Sequence, residues 1–191
     1  MYKFSKKSFC TIIYTSKIIE QICLYVKKNI INYINISEGE RTMTHVYGDL
    51  LDAPVDVIVH QTNCKGAMGA GIAKQIAMRY PQTNSIYRGL CWKHKDNSRE
   101  LLGTCLYTQE ANYVICNAFG QDGFSRYRIQ TEYDMLKKCF EDIANKYAGK
   151  KIGLPYKIGC GLAGGDWNVV ESMILEILDP VCDVFIYEFN P

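Results

Sequence analysis

"HQTNCKGAMGAGIAKQI", His60 to Ile76, sets three glycines in a polar run between an apolar segment and a helical pattern. Upstream, "VDVIVH" (Val55 to His60) is a short continuous apolar run, the mark of a strand covered on both faces. Downstream, Ile72, Ile76 and Tyr80 fall on one face of a helix expected over about Gly69 to Tyr80, which Pro81 stops. Strand, glycine loop and helix in this order describe either a tight connection or a cradle around a ligand. Glycine allows φ > 0 and lets backbone N–H groups approach a ligand closely. Successive N–H groups form a concave anion nest, and a following helix N-terminus adds partial positive charge.

The same grammar recurs in "LPYKIGCGLAGGDW", Leu154 to Trp167. "KIGLP" is a short strand, and Gly159, Gly161, Gly164 and Gly165 precede another helix. Between the two loops the elements alternate. A second helical stretch runs from about Asn84 to His94, and "GTCLYTQ" and "NYVICNAF" are two strands joined through Glu110-Ala111. A long helix follows Gln130 with the stripe Leu136, Phe140, Ile143 and Tyr147. A helix bounded by Asp166 or Asp179 turns Val170, Ile174 and Ile177 inward, and "CDVFIYEF" closes as a strand. Strands alternating with helices predict an α/β fold, a mostly parallel or mixed sheet with helices on both sides. Ligands bind such sheets beyond the carboxyl ends of the strands. His60 is expected to end one strand and Pro155 another, so both glycine loops fall at that edge.

Other phosphate-binding patterns are missing. No G-x-x-x-x-G-K-[ST] occurs, and "GAMGAG" is not G-x-G-x-x-G. The net charge of +2 is too small to indicate nucleic acid by itself. Residues 1–42 carry seven Lys/Arg against three Glu, and residues 43–191 carry fifteen basic against seventeen acidic residues. The part with the motifs is mildly acidic, so an anion must be held locally. The nine cysteines are irregularly spaced with no C-x-x-C, which points to reduced thiols, no disulfide or zinc framework, and a cytoplasmic setting.

Residues 1–42 read as an N-terminal extension. Ile18, Ile22, Val26, Ile30 and Ile34 form one stripe of a helix, and Lys17 and Glu20 break any signal-peptide or membrane-span pattern. A packed helix, a partner- or membrane-surface helix, and an appendage without function of its own all fit. Met43 opens "MTHVYGDLLDAPVDVIVH", which reads as a domain start, so the domain is expected over 43–191.

"VYGDLLDAPVDVIVHQTNCKGAMGAGIAKQI", "NAFGQ" and "LPYKIGCGLAGGDW" together resemble a macro domain, over about Val46 to Glu188 and in the right order. The similarity is greatest to the branch of ADP-ribose-1″-phosphate phosphatases and terminal ADP-ribose glycohydrolases. It implies a three-layer α/β/α domain with a central mixed sheet, and ADP-ribose or an ADP-ribosylated substrate as the ligand. Asp49, with Leu50 beside it in "GDL", matches the family's acidic residue that accepts from the adenine amine. Asn63 matches the asparagine beside the distal ribose. Gly69, Gly71 and Ile72 match the first phosphate-side loop. The second is matched by Gly159, Cys160, Gly161, Leu162, Ala163 and Gly164. Phe119 matches a contact on the ribose or adenine side, with a core position as its alternative.

Related glycohydrolases use a lysine nucleophile and an aspartate just after "GCGL". Here that position is Ala163, and "NAFGQDGFSRYRIQTEY" has no Lys. The expected reaction is therefore hydrolysis at the distal ribose by water, with His60 or Asp166 as the activating group. Histidine as a residue type titrates near neutral pH and can serve as general acid or base; the alternative for His60 is a structural histidine, and that for Asp166 a helix cap. Arg126, Arg128 and Lys157 are phosphate partners or solvated charges. No cofactor and no metal are expected. The protein is expected to be a monomer without a membrane span, meeting nucleic acid only where that is ADP-ribosylated. The alternative function is a non-catalytic ADP-ribose reader.

Overall fold

The computed structural model describes residues 43–125 and 127–189. The helix expected over Ile18 to Ile34 lies outside them. Six strands form one sheet: β1 (Thr44–Tyr47), β2 (Val57–Asn63), β3 (Cys105–Gln109), β4 (Val114–Gln121), β5 (Lys151–Pro155) and β6 (Asp183–Glu188). Their order is β1-β6-β5-β2-β4-β3. All neighbours are parallel except the hairpin partners β3 and β4, so the sheet is mixed, as expected.

Strand alternation sorts the side chains into two helix layers. Val57 and Val59 of β2, with Ile152 and Leu154 of β5, pack beneath α3 (Tyr133–Lys146) and α4 (Trp167–Ile177). The stripe Leu136, Phe140 and Ile143 of α3 and the pair Val170 and Ile174 of α4 are fully buried there. Each such side chain stabilises the fold by about 2 kcal/mol. Ile58 of β2 and Ile115 of β4 face the other way, toward Ile76 of α1 (Gly71–Arg79). Tyr87 and Cys91 of α2 (Pro81–Lys93) close the same side over Phe119. The molecule is thus the three-layer α/β/α arrangement that the pattern implied.

Two short 3-10 segments, Leu50–Asp52 and Lys95–Leu101, and the edge strand β1 were not legible in the periodicity. β1 leaves three of its four residues exposed, so it carries no apolar alternation to read.

β2 does not end at His60. It continues through the polar residues Gln61, Thr62 and Asn63, paired with β4 up to Asn63 opposite Gln121. The chain leaves β2 toward the α1–α2 layer and leaves β5, its neighbour, toward α4 on the opposite face. Crossovers that diverge from adjacent strands leave a crevice at their carboxyl ends.

Candidate functional site

That crevice is a cleft of about 590 Å³, within the range of nucleotide-sized sites. One wall is the loop after β2, with Asn63, Ala67, Gly69, Gly71 and Ile72. The other is the loop after β5, with Lys157, Gly159, Gly161, Leu162 and Ala163. Gln61 and Gln121 lie at the strand ends beneath, and Phe124 and Ser125 complete the rim.

Asn63 holds the first loop from inside. Its Oδ1 accepts from Lys65 N at 3.0 Å, Ala67 N at 3.2 Å and Tyr87 OH at 3.1 Å, and its Nδ2 donates to Ala67 O at 2.7 Å. The loop then enters α1 with no side-chain cap at Ala70. The N–H groups of Gly71, Ile72 and Ala73 meet no acceptor among the described residues. They are the orphan donors of a helix start, aimed where an anion is stabilised.

The second loop is built from tight backbone turns. Cys160 N donates to Lys157 O, Gly164 N to Gly161 O and Gly165 N to Gly159 O. Gly159 takes φ +73 and Lys157 φ +59. The N–H groups of Gly159, Gly161, Leu162 and Ala163 have no acceptor among the described residues.

A polar network that the sequence reading did not identify locks the loop after β5 and the loop after β4 to the sheet. Gln61 Nε2 donates to Gln121 Oε1 at 2.7 Å and to Thr131 Oγ1 at 3.0 Å. Thr131 Oγ1 donates in turn to Gly159 O at 2.5 Å, and Gln121 Nε2 to Gly123 O at 2.7 Å. Gln61 Oε1 is buried without a partner and lies against two glycines. A Cβ at Gly159 would come within 2.6 Å of it, and one at Gly120 within 2.8 Å. The signal was present, since Gln61 lies in "HQTN" and Gln121 ends "NAFGQ". Its reading required knowing that β2 and β4 are neighbours.

Of the sequence-predicted residues, the cleft gathers Asn63, Gly69, Gly71, Ile72, Gly159, Gly161, Leu162 and Ala163. The rest need correction or a different placement. His60 is fully buried, not at the mouth of the cleft. Because β2 runs three residues further, His60 lies within the sheet and not at its edge; it shares the face of Ile58, and its Nε2 pairs with Asn117 Oδ1 at 2.9 Å. Burial lowers its pKa to about 4, partly offset by the Asn117 hydrogen bond, so the imidazole is neutral. Its Nδ1 has no partner, and it does not reach the cleft as a general base.

Asp166 is the N-cap of α4, its Oδ1 accepting from Asn168 N at 2.9 Å, and it is not part of the cleft lining. The capping alternative is the one the structure displays. Phe119 is also core: it is fully buried and stacked on Tyr87 at 5.8 Å between centroids. Leu50 is buried among core residues, so its side chain faces no ligand. Cys160 and Gly164 lie in the second loop but outside the lining; burial pushes the Cys160 thiol up to about 11. Asp49 stands at the carboxyl edge of the sheet after β1, away from the cleft lining. Its Oδ1 accepts from Leu51 N at 2.8 Å. Arg126 lies outside the described residues, and Arg128 is exposed outside the lining.

Among the described residues Lys157 is the only charged group lining the cleft, and no carboxylate or imidazole lines it. The site is therefore suited to an anion held mainly by backbone N–H groups. No cluster of three or more His, Cys, Asp or Glu able to hold a metal ion occurs among the described residues. No helix among them is long and apolar enough to cross a membrane. No disulfide joins two of the cysteines among the described residues.

Comparison with known proteins gives the same architecture. The ADP-ribose 1″-phosphate phosphatase of Saccharomyces cerevisiae (strain YJM789) is 34% identical over 165 residues, spanning 70% of this chain and 92% of its own length. The DNA ADP-ribosyl glycohydrolase of Thermus aquaticus is 24% identical over 149 residues, 76% of this chain but 40% of its own. The macrodomain of Thermus aquaticus DarG superposes with a TM-score of 0.62 at 22% identity, over 78% of this chain and 99% of that one, and so shares the fold. The family model of the macro domain matches residues 59–174, more than half of the sequence, and the chain belongs to the macro domain family.

Proposed function

We propose that the cleft binds ADP-ribose or a derivative by its diphosphate, and that the protein is a hydrolase acting at the distal ribose, as an ADP-ribose 1″-phosphate phosphatase. The observation that carries this is the set of uncommitted N–H groups from two loops on adjacent strands, Gly71 to Ala73 in the first and Gly159, Gly161, Leu162 and Ala163 in the second. The 34% identity to a phosphatase over most of both chains supports the choice of reaction. Asp49 accepts from the adenine amine, Ile72 and Phe124 wall the sugars, and Asn63 stands beside the distal ribose. Water attacks phosphorus, the P–O bond to the ribose breaks, and the ribose oxygen takes a proton. Inorganic phosphate and ADP-ribose leave.

Such phosphoryl transfer depends mainly on positioning and charge stabilisation rather than on a strong base. This suits a lining whose only charge is Lys157, which meets the terminal phosphate. Residues 43–191 are the working domain and residues 1–42 an appendage. We read the protein as a cytoplasmic monomer, in keeping with irregularly spaced cysteines that form no C-x-x-C, for which nucleic acid is a substrate only as a carrier of ADP-ribose.

The second reading is a reader that binds ADP-ribose and cleaves nothing. It is favoured by the lack of any carboxylate or imidazole in the described lining. Calorimetry with ADP-ribose and phosphate release from ADP-ribose 1″-phosphate separate the cases. Binding with turnover supports the phosphatase. Lys157→Met is expected to lower kcat/KM about 100-fold, in the range for removing one preorganised charge, while ADP-ribose binding falls far less. Binding without turnover of this substrate or of ADP-ribosylated protein or DNA leaves the reader. No heat with either small molecule overturns both.

A further inference from the structure

A second cavity, of about 530 Å³, lies on the other side of the first loop. Asn63, Ala67 and Gly69 face the cleft, whereas Cys64, Lys65 and Gly66 of the same loop line this second space. Its opposite wall is the exposed face of α2 and the turn after it, with Arg88, Gly89, Trp92 and Lys95. Arg88 and Trp92 are i, i+4 neighbours on α2, and Lys95 follows in the turn beyond it; the adjacent Tyr87 and Cys91 are buried, Cys91 at the floor of the same space.

The chemistry of this wall is not explained by folding. Trp92 is 71% exposed, and its indole has no aromatic neighbour among the described residues. Lys95 Nζ lies 4.6 Å from its ring centre. The charge of Lys65 is balanced by Asp122 at 3.0 Å, with Ser98 as a further hydrogen-bond partner. Arg88 and Lys95 form no ion pair among the described residues. The lining contains no acid, so two cations beside an open indole are left without a protein counter-charge.

A planar π surface flanked by free cations is the arrangement that holds single-stranded nucleic acid, with bases stacked on the ring and phosphates drawn to the cations. An acidic peptide would use the cations but leave the indole face bare. A duplex does not fit a space of this volume. We propose that this cavity binds a nucleotide of a single-stranded nucleic acid, its base on Trp92 and its flanking phosphates at Arg88 and Lys95. Only one loop separates it from the cleft, so a strand held here runs past the mouth that receives the ADP-ribose. The functional use rests on the cleft being an ADP-ribose site; the binding itself does not.

Anisotropy titration of a fluorescein-labelled dT12 at 50 mM salt tests it on the full chain, alongside calorimetry with ADP-ribose. The strand is expected to bind and to quench tryptophan fluorescence. Trp92→Ala should weaken it about tenfold, the scale of one lost stacked base, with ADP-ribose affinity unchanged. Arg88→Ala should reduce the salt slope by about one. Lys137→Ala, a cation on α3, should change neither. The proposal is overturned if dT12 does not bind, if Lys137→Ala weakens it as much as Arg88→Ala, or if thymidine monophosphate binds as tightly as dT12. Loss of ADP-ribose binding with strand binding retained would sink the cleft reading and leave this one standing.

Discussion

The two glycine loops line one cleft but are held by opposite means. The loop after β2 is tied by a single side chain, since Asn63 makes four hydrogen bonds to its own loop and to Tyr87. The loop after β5 is tied by its own backbone turns and fastened from outside by Thr131 on Gly159 O. A loop held by one buried amide is vulnerable to loss of that side chain. A loop held by backbone geometry is vulnerable to gain of one, because the space a Cβ needs is already filled.

The largest expected effect falls on the side-chain-held loop. Asn63→Ala removes all four bonds and strands the Lys65 N–H and the Ala67 groups, while the Tyr87 hydroxyl keeps its bond to Asn63 O at 2.6 Å. Stability should fall by about 3 kcal/mol, the scale of a few buried polar groups left unpaired. ADP-ribose affinity should fall about 100-fold as the first loop loses its shape, a loss of about 3 kcal/mol in binding. Denaturant melts and calorimetry read the two numbers; an unchanged affinity would show that the loop holds itself.

In the backbone-held loop the corresponding change is an addition. Gly159→Ala puts a Cβ within 2.6 Å of Gln61 Oε1 at φ +73, so stability should drop by about 2 kcal/mol from overpacking and left-handed strain. Gly71→Ala in the first loop, at φ +54 with open space around it, should cost only about 1 kcal/mol, from strain alone. Equal costs at the two positions would remove the distinction between the loops.

A pH effect separates two polar residues of β2, Asn63 in the cleft and His60 in the core. The folded pKa of His60 is about 4, below its ordinary 6.5, so between these values the unfolded chain binds more protons. Stability is therefore fully present above about pH 6.5 and is lost as pH falls toward 4. From pH 7 to pH 5 the His60 contribution should fall by about 2 kcal/mol. His60→Gln should flatten that part of the profile in urea melts. A phosphatase rate profile that still bends near pH 6.5 in His60→Gln would confirm that another group titrates in turnover.

Much of the scaffold was visible before the structure. The stripes on α3 and α4 and the β3–β4 hairpin are periodic and local, so they were readable residue by residue. The edge strand β1 was not, because three of its four residues are exposed. The site was half legible. Gly69, Gly71, Gly159, Gly161 and Asn63 line the cleft, since a glycine run after a strand has few other uses. For His60, Asp166 and Phe119 the sequence left a structural and a chemical reading side by side, for one reason. Each belongs to a residue type that serves structure and chemistry equally well, and only its direction separates the two.

What the sequence determined by itself is the order of strands, helices and glycine loops, because hydrophobic period and glycine conformational freedom are local properties. Only the tertiary structure decided which polar residues share the cleft. That depends on the extension of β2 by three residues through pairing with β4 and on the adjacency of β2 and β5. It also depends on Gln61 reaching Gln121 and Thr131, which lie sixty and seventy positions away along the chain. A one-residue slip in pairing register reverses the face of every side chain in a strand, and the pairing that sets the register is non-local.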